Sequence, residues 1–269
     1  MGNDLKLRRW RDEDCLLLHA WRQHPVNRRW FGNQSEVPLG EHQAWFAGFM
    51  ADYRRFGFIL EVDAAPVAQI RFDPAELPGS YRISLAVAPD KKGLGYGAGI
   101  LNLACSDPDL CEMAGLFIAE TMTENLPSQR TFLRHGFVTA GSTSRAGSAM
   151  LCWLLPSASA KKLPPLPLRL TGKAGLCDRL VEVLAATGLA DVSDQGAVNV
   201  ILGGICELDG FLSPFLHLNI ENGAVLLDLA RGMPIDNLAL PLEFENIEVA
   251  VAQIVTFVRQ QLELRDDSR

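Results

Sequence analysis

The chain has 269 residues, with 25 lysines and arginines against 32 aspartates and glutamates, a formal charge of −7, and 48% apolar residues. That length is comfortable for two domains, the apolar content supports a real core, and the acidic balance disfavours nucleic acid as a partner. No apolar run reaches the ~18 residues of a membrane span. The charged start, MGNDLKLRRWRDED, lacks the apolar segment of a secretory signal, so the expectation is a cytoplasmic protein with no membrane partner.

Charge is uneven along the chain. Residues 1–160 hold 16 basic against 17 acidic side chains, and residues 161–269 hold 9 against 15. Arginine pairs at Arg8–Arg9, Arg28–Arg29 and Arg54–Arg55 have two readings, solvated surface or contacts for a small phosphorylated ligand. The six cysteines (15, 105, 111, 152, 177 and 206) form no CxxC pair, and the five histidines show no ligand spacing. Reduced thiols are expected, with neither a disulfide framework nor a metal site.

In chain order, the pattern predicts a strand at Leu5–Trp10 and a helix at Asp12–Gln23 with Asp12 as its N-cap. A second helix runs from near Leu39 through Trp45, Phe46 and Phe49. Strands at Phe56–Asp63, Pro66–Asp73 and Tyr81–Ala88 follow, separated by the turns DAAP and PAELPGS. Next come a glycine loop, a helix from near Tyr96 to about Cys105, a strand at Gly115–Thr121 and a helix at Ser128–His135. Strands at Phe137–Thr143 and Ala149–Leu154 close this part. The stretch LLPSASAKKLPPLPLRL (154–170) is too rich in proline for a helix interior, and it predicts a linker over 158–167 between domains at 1–157 and 168–269. Beyond it the pattern gives a small α/β unit: Leu168–Leu170, Ala174–Thr187, Ala197–Leu202, Gly223–Leu229 and Ile247–Leu264.

The glycine loop carries chemistry. In VAPDKKGLGYGAGIL (87–101) a strand ends, Gly93, Gly95, Gly97 and Gly99 follow, and an apolar helix begins. It is no Walker loop, since no GK[ST] follows, and it is a poor dinucleotide fingerprint. A helix start offers unpaired backbone N–H groups, and its dipole favours an anion by roughly 0.3–2 kcal/mol. Glycine lets a diphosphate approach the backbone with no Cβ in the way. The expected ligand is therefore a diphosphate wrapped by amides from about Gly93 to Ala98.

These residues resemble the GCN5-related N-acetyltransferases, the GNAT family. The family's acetyl-CoA loop, Arg/Gln-x-x-Gly-x-Gly/Ala, stands here as Lys92-Gly93-Leu94-Gly95-Tyr96-Gly97. A second block, TENLPSQRTFLRHGF (123–137), carries the family's Asn, helix and Gly-Phe as Asn125, the helix from Ser128, and Gly136–Phe137. The resemblance covers about residues 4–155. It implies an α/β (α+β) fold with a mixed, mostly antiparallel sheet, whose fourth and fifth strands part to admit acetyl-CoA. It implies that the backbone of Leu85–Val87 pairs with the pantetheine amides, that Lys92, Gly93, Gly95, Tyr96, Gly97 and Ala98 hold the diphosphate, and that Asn125 and Ser128 touch the cofactor arm. Asn125 and Ser128 also have a local reading, as a strand end and a helix cap.

Where many members have a tyrosine that protonates the leaving sulfur, this chain has Phe132, which has no proton to give. Glu120 is the candidate for proton removal, or else a strand carboxylate that faces solvent or pairs with an arginine. Alignment of reactants supplies on the order of 7–11 kcal/mol, so acid–base help worth ~10²–10⁴-fold is useful but not obligatory.

The first two helices carry WRQHPVNRRWF (21–31) and EHQAWF (41–46). Both resemble a GNAT subgroup that acetylates a nucleotide-linked 4-amino sugar, as in pseudaminic acid synthesis. The resemblance implies a small-molecule amine as partner and an acceptor site at Arg22, His24, Arg29, Trp30, Phe31 and His42. Trp21 and Trp45, on helical apolar faces, read first as core, and His24 has a second reading as a helix cap. Two other functions stay open: acetylation of a protein N-terminus, and a CoA-binding module without turnover. Homo-oligomerisation is also left open. In the second part, NGAVLLDLARGMPIDNLAL (222–240) resembles a fragment of 2-hydroxyacid dehydrogenases, with Arg231 at the catalytic arginine. No nucleotide fingerprint stands in LTGKAGLCDR and no Glu or His partner follows, so scaffold is the expectation there.

Overall fold

The computed structural model describes residues 5–145, 147–160, 165–172, 174–193, 198–202, 215–221, 224–230, 241–242, 246 and 248–256. The first part runs β1 (Leu5–Arg9), α1 (Asp14–Gln23), α2 (Pro25–Arg28), α3 (Leu39–Ala51), β2 (Phe56–Val62), β3 (Ala65–Pro74) and β4 (Ser80–Val87). It continues through α4 (Tyr96–Ala104), α5 (Pro108–Met113), β5 (Leu116–Met122), α6 (Leu126–Arg134), β6 (Val138–Arg145) and β7 (Ser148–Pro156). Its seven strands form one sheet in the order β1-β2-β3-β4-β5-β7-β6, antiparallel except for the β4–β5 pair. This is the mixed, mostly antiparallel sheet that the resemblance implied.

Local chemistry moves several boundaries. The first helix starts at Asp14, not Asp12, because the Asp14 carboxylate is buried and accepts from Arg8 and from the Arg11 amide at 2.8 Å. The Arg8 and Arg11 bonds hold the Asp14 carboxyl below its ordinary range, against the burial that pushes it up. The helix expected at Ser128 begins at Leu126, where Asn125 caps it by accepting from the Ser128 amide at 3.3 Å and Pro127 occupies the first turn. Two short helices went unread. One is α5, although Asp107 caps it at the Leu110 amide (3.0 Å) and Pro108 opens it.

Strand alternation gives the sheet two differently used faces. Phe58, Leu60, Ile70, Phe72, Tyr81, Phe117, Ala119, Trp153 and Leu155 pack on one face, under Ile100, Leu101 and Ala104 of α4 and Phe132 of α6. On the opposite face, Ile59 packs with Trp10, Leu18, Trp21, Phe46 and Phe49 under α1 and α3. At the far end of that second face, Leu116, Ile118, Cys152 and Leu154 meet the rest of the chain.

That rest comprises β8 (Leu166–Gly172), α7 (Ala174–Thr187), β9 (Ala190–Val192), β10 (Val198–Leu202), β11 (Phe215–Glu221), β12 (Ala224–Ala230), β13 (Pro241–Leu242) and α8 (248–256). The strands form a sheet in the order β13-β12-β11-β10-β8-β9. Strand β8 begins inside the stretch read as linker, and β11 went unread. Arg231 lies outside the described residues. One apolar cluster crosses the expected boundary, joining Leu116, Ile118 and Leu154 to Leu180, Leu184, Val251 and Ile254. Asn246 caps α8 through the Glu248 and Val249 amides (3.0 and 3.2 Å), and Arg179 pairs with Glu248. Together they sit against Gly141, whose φ of +89° occurs at the irregularity in the β6–β7 ladder.

Candidate active site

Strands β4 and β5 pair over only four residues, from Ser80↔Leu116 to Ile83↔Ala119, while β4 runs on to Val87 and β5 to Met122. Beyond Ile83 and Ala119 they part, and the opening is a cleft of about 970 Å³. On its β4 side, the Ala88 amide donates to Val67 of β3 at 2.9 Å. By strand alternation Leu85 and Val87 turn their N–H and C=O away from β3, into the cleft. The Val87 carbonyl accepts from buried Asn27 of α2 at 3.2 Å, a second-helix contact not read from the sequence.

The glycine loop closes one end of the cleft. Gly93 and Gly95 both have positive φ (+81° and +83°), which favours glycine, and an added Cβ would meet nothing within 4 Å at either. Gly95 occupies the N-cap of α4 and offers no side-chain cap. Among the described residues, no hydrogen bond takes the amides of Gly93, Leu94, Gly95, Tyr96 or Gly97. The Ala98 amide, expected among the free set, bonds to the Gly95 carbonyl at 3.0 Å, although Ala98 still lines the cleft. Lys92 lies beside them with Nζ 3.4 Å from the Val26 carbonyl, and burial with the nearby Arg29 charge lowers its pKa. The five free N–H groups, the open space at Gly93 and Gly95, and the parted strands fit the diphosphate and pantetheine of acetyl-CoA.

Across the cleft stand Asn125, Ser128, Phe132, Glu120 and Thr121. Glu120 takes Arg82 Nη1 at 3.0 Å, so the arginine pairing weighed for it is present while it still lines the cleft. Arg82 also holds Glu76, and burial costs there are outweighed, so that the Glu76 carboxyl lies below its ordinary range. Phe132 is 5% exposed and packs on Phe137 and Trp153. Its place in the wall is apolar.

A smaller pocket of about 250 Å³ opens from the cleft under α1 and α3, and both are lined by Arg22, Phe31, Arg71, Ser84 and Ala86. Trp10, Trp21, Trp45 and His42 line the pocket as well. Trp10 lies directly on Gly57, where an added Cβ would come within 2.3 Å of its ring, so glycine is required there. The guanidinium of Arg22 stacks 4.3 Å from the Phe31 ring and that of Arg71 4.7 Å from the Trp45 ring. Arg22 Nη1 and Gln69 Oε1 are buried without a hydrogen-bond partner among the described residues, and the buried Arg71 Nε lies 3.1 Å from the Asp73 carboxylate as an ion pair. Burial pushes both guanidinium pKa values down, and for Arg22 the Arg28 and Arg71 charges push the same way.

Of the expected acceptor residues, Arg22, Arg29, Trp30 and Phe31 line the large cleft, and His42 lines the small pocket with Nε2 3.0 Å from the Cys15 carbonyl. His24 lies outside both cavities, exposed, with Nδ1 accepting from the Val26 amide at 3.3 Å as the cap of α2. Sequence reading missed Gln69, Arg71, Ser84, Asn27 and Thr121. A signal for two of them existed: in Ala68-Gln69-Ile70-Arg71-Phe72 the polar residues alternate with the apolar ones.

Solved structures share this fold. Spermidine N-acetyltransferase from Vibrio cholerae, in complex with CoA and spermine, matches with a TM-score of 0.51 at 15% identity, over 57% of this chain and 96% of that one. An N-acetyltransferase from Staphylococcus aureus matches with a TM-score of 0.50 at 14% identity, over 57% of this chain and 98% of that one. No curated protein matches the chain. Residues 4–138, half of the chain, match the acetyltransferase (GNAT) domain model. The chain belongs to the GNAT family, and it is an N-acetyltransferase that draws its acetyl group from acetyl-CoA.

Proposed function

We propose that the acceptor is a small primary amine carrying a negatively charged group, and that its class is the nucleotide-linked amino sugar. One observation carries this reading. Arg22 and Arg71 are each stacked on an aromatic ring at the pocket beside the parted strands; Arg22 keeps a buried N–H without a partner and has no carboxylate beside it among the described residues, whereas Arg71 is offset by Asp73 at 3.1 Å. An unpaired buried cation is costly, and a phosphate or carboxylate on the acceptor would relieve it. Trp30, Phe31 and Trp45 offer faces for a sugar or a base. A polyamine would instead bring cations toward cations.

In this reading the amides of residues 93–97 and Lys92 hold the diphosphate, the backbone of Leu85 and Val87 holds the pantetheine, and Asn125 and Ser128 border it. Bound acetyl-CoA supplies the activated thioester. Glu120 takes the proton that the amine loses, directly or through one water, and Arg82 holds the carboxylate in place at the cleft wall. Most of the rate comes from alignment, on the order of 7–11 kcal/mol, and the carboxylate adds to it.

The test is thiol release from acetyl-CoA over a panel: a UDP-linked 4-amino sugar, glutamate, spermidine and an alanine-terminated peptide. The UDP-sugar is expected to give the highest kcat/KM, and glutamate to exceed spermidine. Preference for spermidine or the peptide contradicts the reading.

A further inference from the structure

The family's tyrosine is replaced by Phe132, yet the wall beside it holds a hydroxyl. Thr121 of β5 is 3% exposed, lines the cleft, and accepts from Trp153 Nε1 at 2.8 Å. Trp153 in turn stacks on Phe132, with ring centroids 6.4 Å apart. A hydroxyl has one proton to give and two lone pairs. The indole N–H occupies a lone pair and so turns the Thr121 proton elsewhere. Among the described residues that proton has no acceptor. A buried donor at a cleft wall without a partner calls for one supplied by the ligand.

Position adds a second argument. Consecutive strand residues point to opposite faces. Thr121 continues the face of Phe117 and Ala119, under α6, and Glu120 continues the face of Leu116 and Ile118, which β4 shares through Arg82 and Ser84. The proton acceptor and the hydroxyl thus flank the parted strands from opposite sides, as proton removal from the amine and charge growth on the sulfur require.

We propose that the Thr121 hydroxyl, oriented by Trp153, donates a hydrogen bond to the leaving sulfur and takes the place of the missing tyrosine. This rests on the donor site described above. In the reaction the amine nitrogen bonds to the acetyl carbon, the C–S bond breaks, and its electron pair stays on sulfur. The nitrogen's proton goes to Glu120, Thr121 keeps its own proton while stabilising the thiolate, and the thiolate is protonated from solvent.

The test needs no acceptor. The thiol of CoA bound to the full chain is titrated by its thiolate absorbance. In Thr121→Val, which keeps shape and removes the hydroxyl, the midpoint is expected to rise by about one pH unit, a tenfold loss of thiolate stability or ~1.4 kcal/mol. Thr121→Ser should keep the parent midpoint, and Thr121→Ala provides a second hydroxyl-free variant should valine misfold. An unchanged midpoint in a hydroxyl-free variant that still binds CoA overturns the inference alone. Absence of CoA binding in the parent overturns the donor site and the inference with it.

Discussion

The two halves of the cleft are built by different means. The donor half is made of backbone: free amides at 93–97 and the outward-turned edge of β4 after pairing with β5 stops. The acceptor half is made of side chains from α1, β3, β4 and the segment after α2, assembled around two stacked arginines. A backbone site tolerates sequence change as long as glycine and strand geometry remain. A side-chain site can be retuned by single substitutions, and the same donor can then serve different amines.

That contrast can be broken or sharpened by substitution. The largest effect is expected where the halves meet: Glu120→Gln should lower kcat by on the order of 10²-fold with little change in the KM for acetyl-CoA, measured by thiol release. An equal rate would remove Glu120 from proton transfer. Next, Gly95→Val forces a β-branched residue to a φ of +83°. Strain of about 1–3 kcal/mol should weaken CoA binding roughly 10- to 100-fold in calorimetry. Acceptor KM measured at saturating donor should hold.

Arg71→Met should do the reverse. It should cut acceptor kcat/KM by about 10- to 100-fold and leave CoA affinity in place, since it removes a charged hydrogen-bond donor from the acceptor half only. A matching loss of CoA affinity would show that the halves are not separable. Outside both, Gly141→Val would bring a Cβ within 2.8 Å of Asn246 and 3.3 Å of Glu248. A loss of about 2 kcal/mol of stability is expected, read as a lower Tm, with CoA affinity preserved in the folded fraction.

The smallest effect is a pH dependence. Burial lowers the His42 pKa below its ordinary 6.5, with the His19, Arg71 and Arg22 charges assisting and the Cys15 carbonyl opposing. The folded state resists protonation while the unfolded state does not. Stability from this group is therefore complete above pH 6.5 and is lost as the pH falls through the lower folded value. His42→Gln should flatten the decline in Tm between about pH 6.5 and 5. An unchanged slope would assign that decline to other groups.

The same contrast explains what was legible in the sequence. The donor half could be read because backbone chemistry leaves a local trace: glycines between a strand and a helix, and an asparagine before a helix. Asn125 shows the limit, for its cap at the Ser128 amide and its place in the cleft are one geometry with two readings. The acceptor half draws single residues from elements far apart in sequence. Arg71 looked like one strand residue among many until β3 set it beside Trp45. His24, singled out by its neighbours in sequence, turned out to cap a four-residue helix. The boundary near 158–167 was read from proline, but proline marks backbone stiffness and not the edge of a core. The core cluster through Leu154, Leu180 and Ile254 runs past it.

The central claim is that unpaired amides at the start of α4 grip the donor's diphosphate while its thioester lies between β4 and β5. A crystal structure of the full chain with CoA tests this most directly. The account predicts diphosphate oxygens at about 3 Å from amides of residues 93–97, with the pantetheine along Leu85 and Val87. A diphosphate bound elsewhere, or those amides bonded to the protein itself, would contradict it.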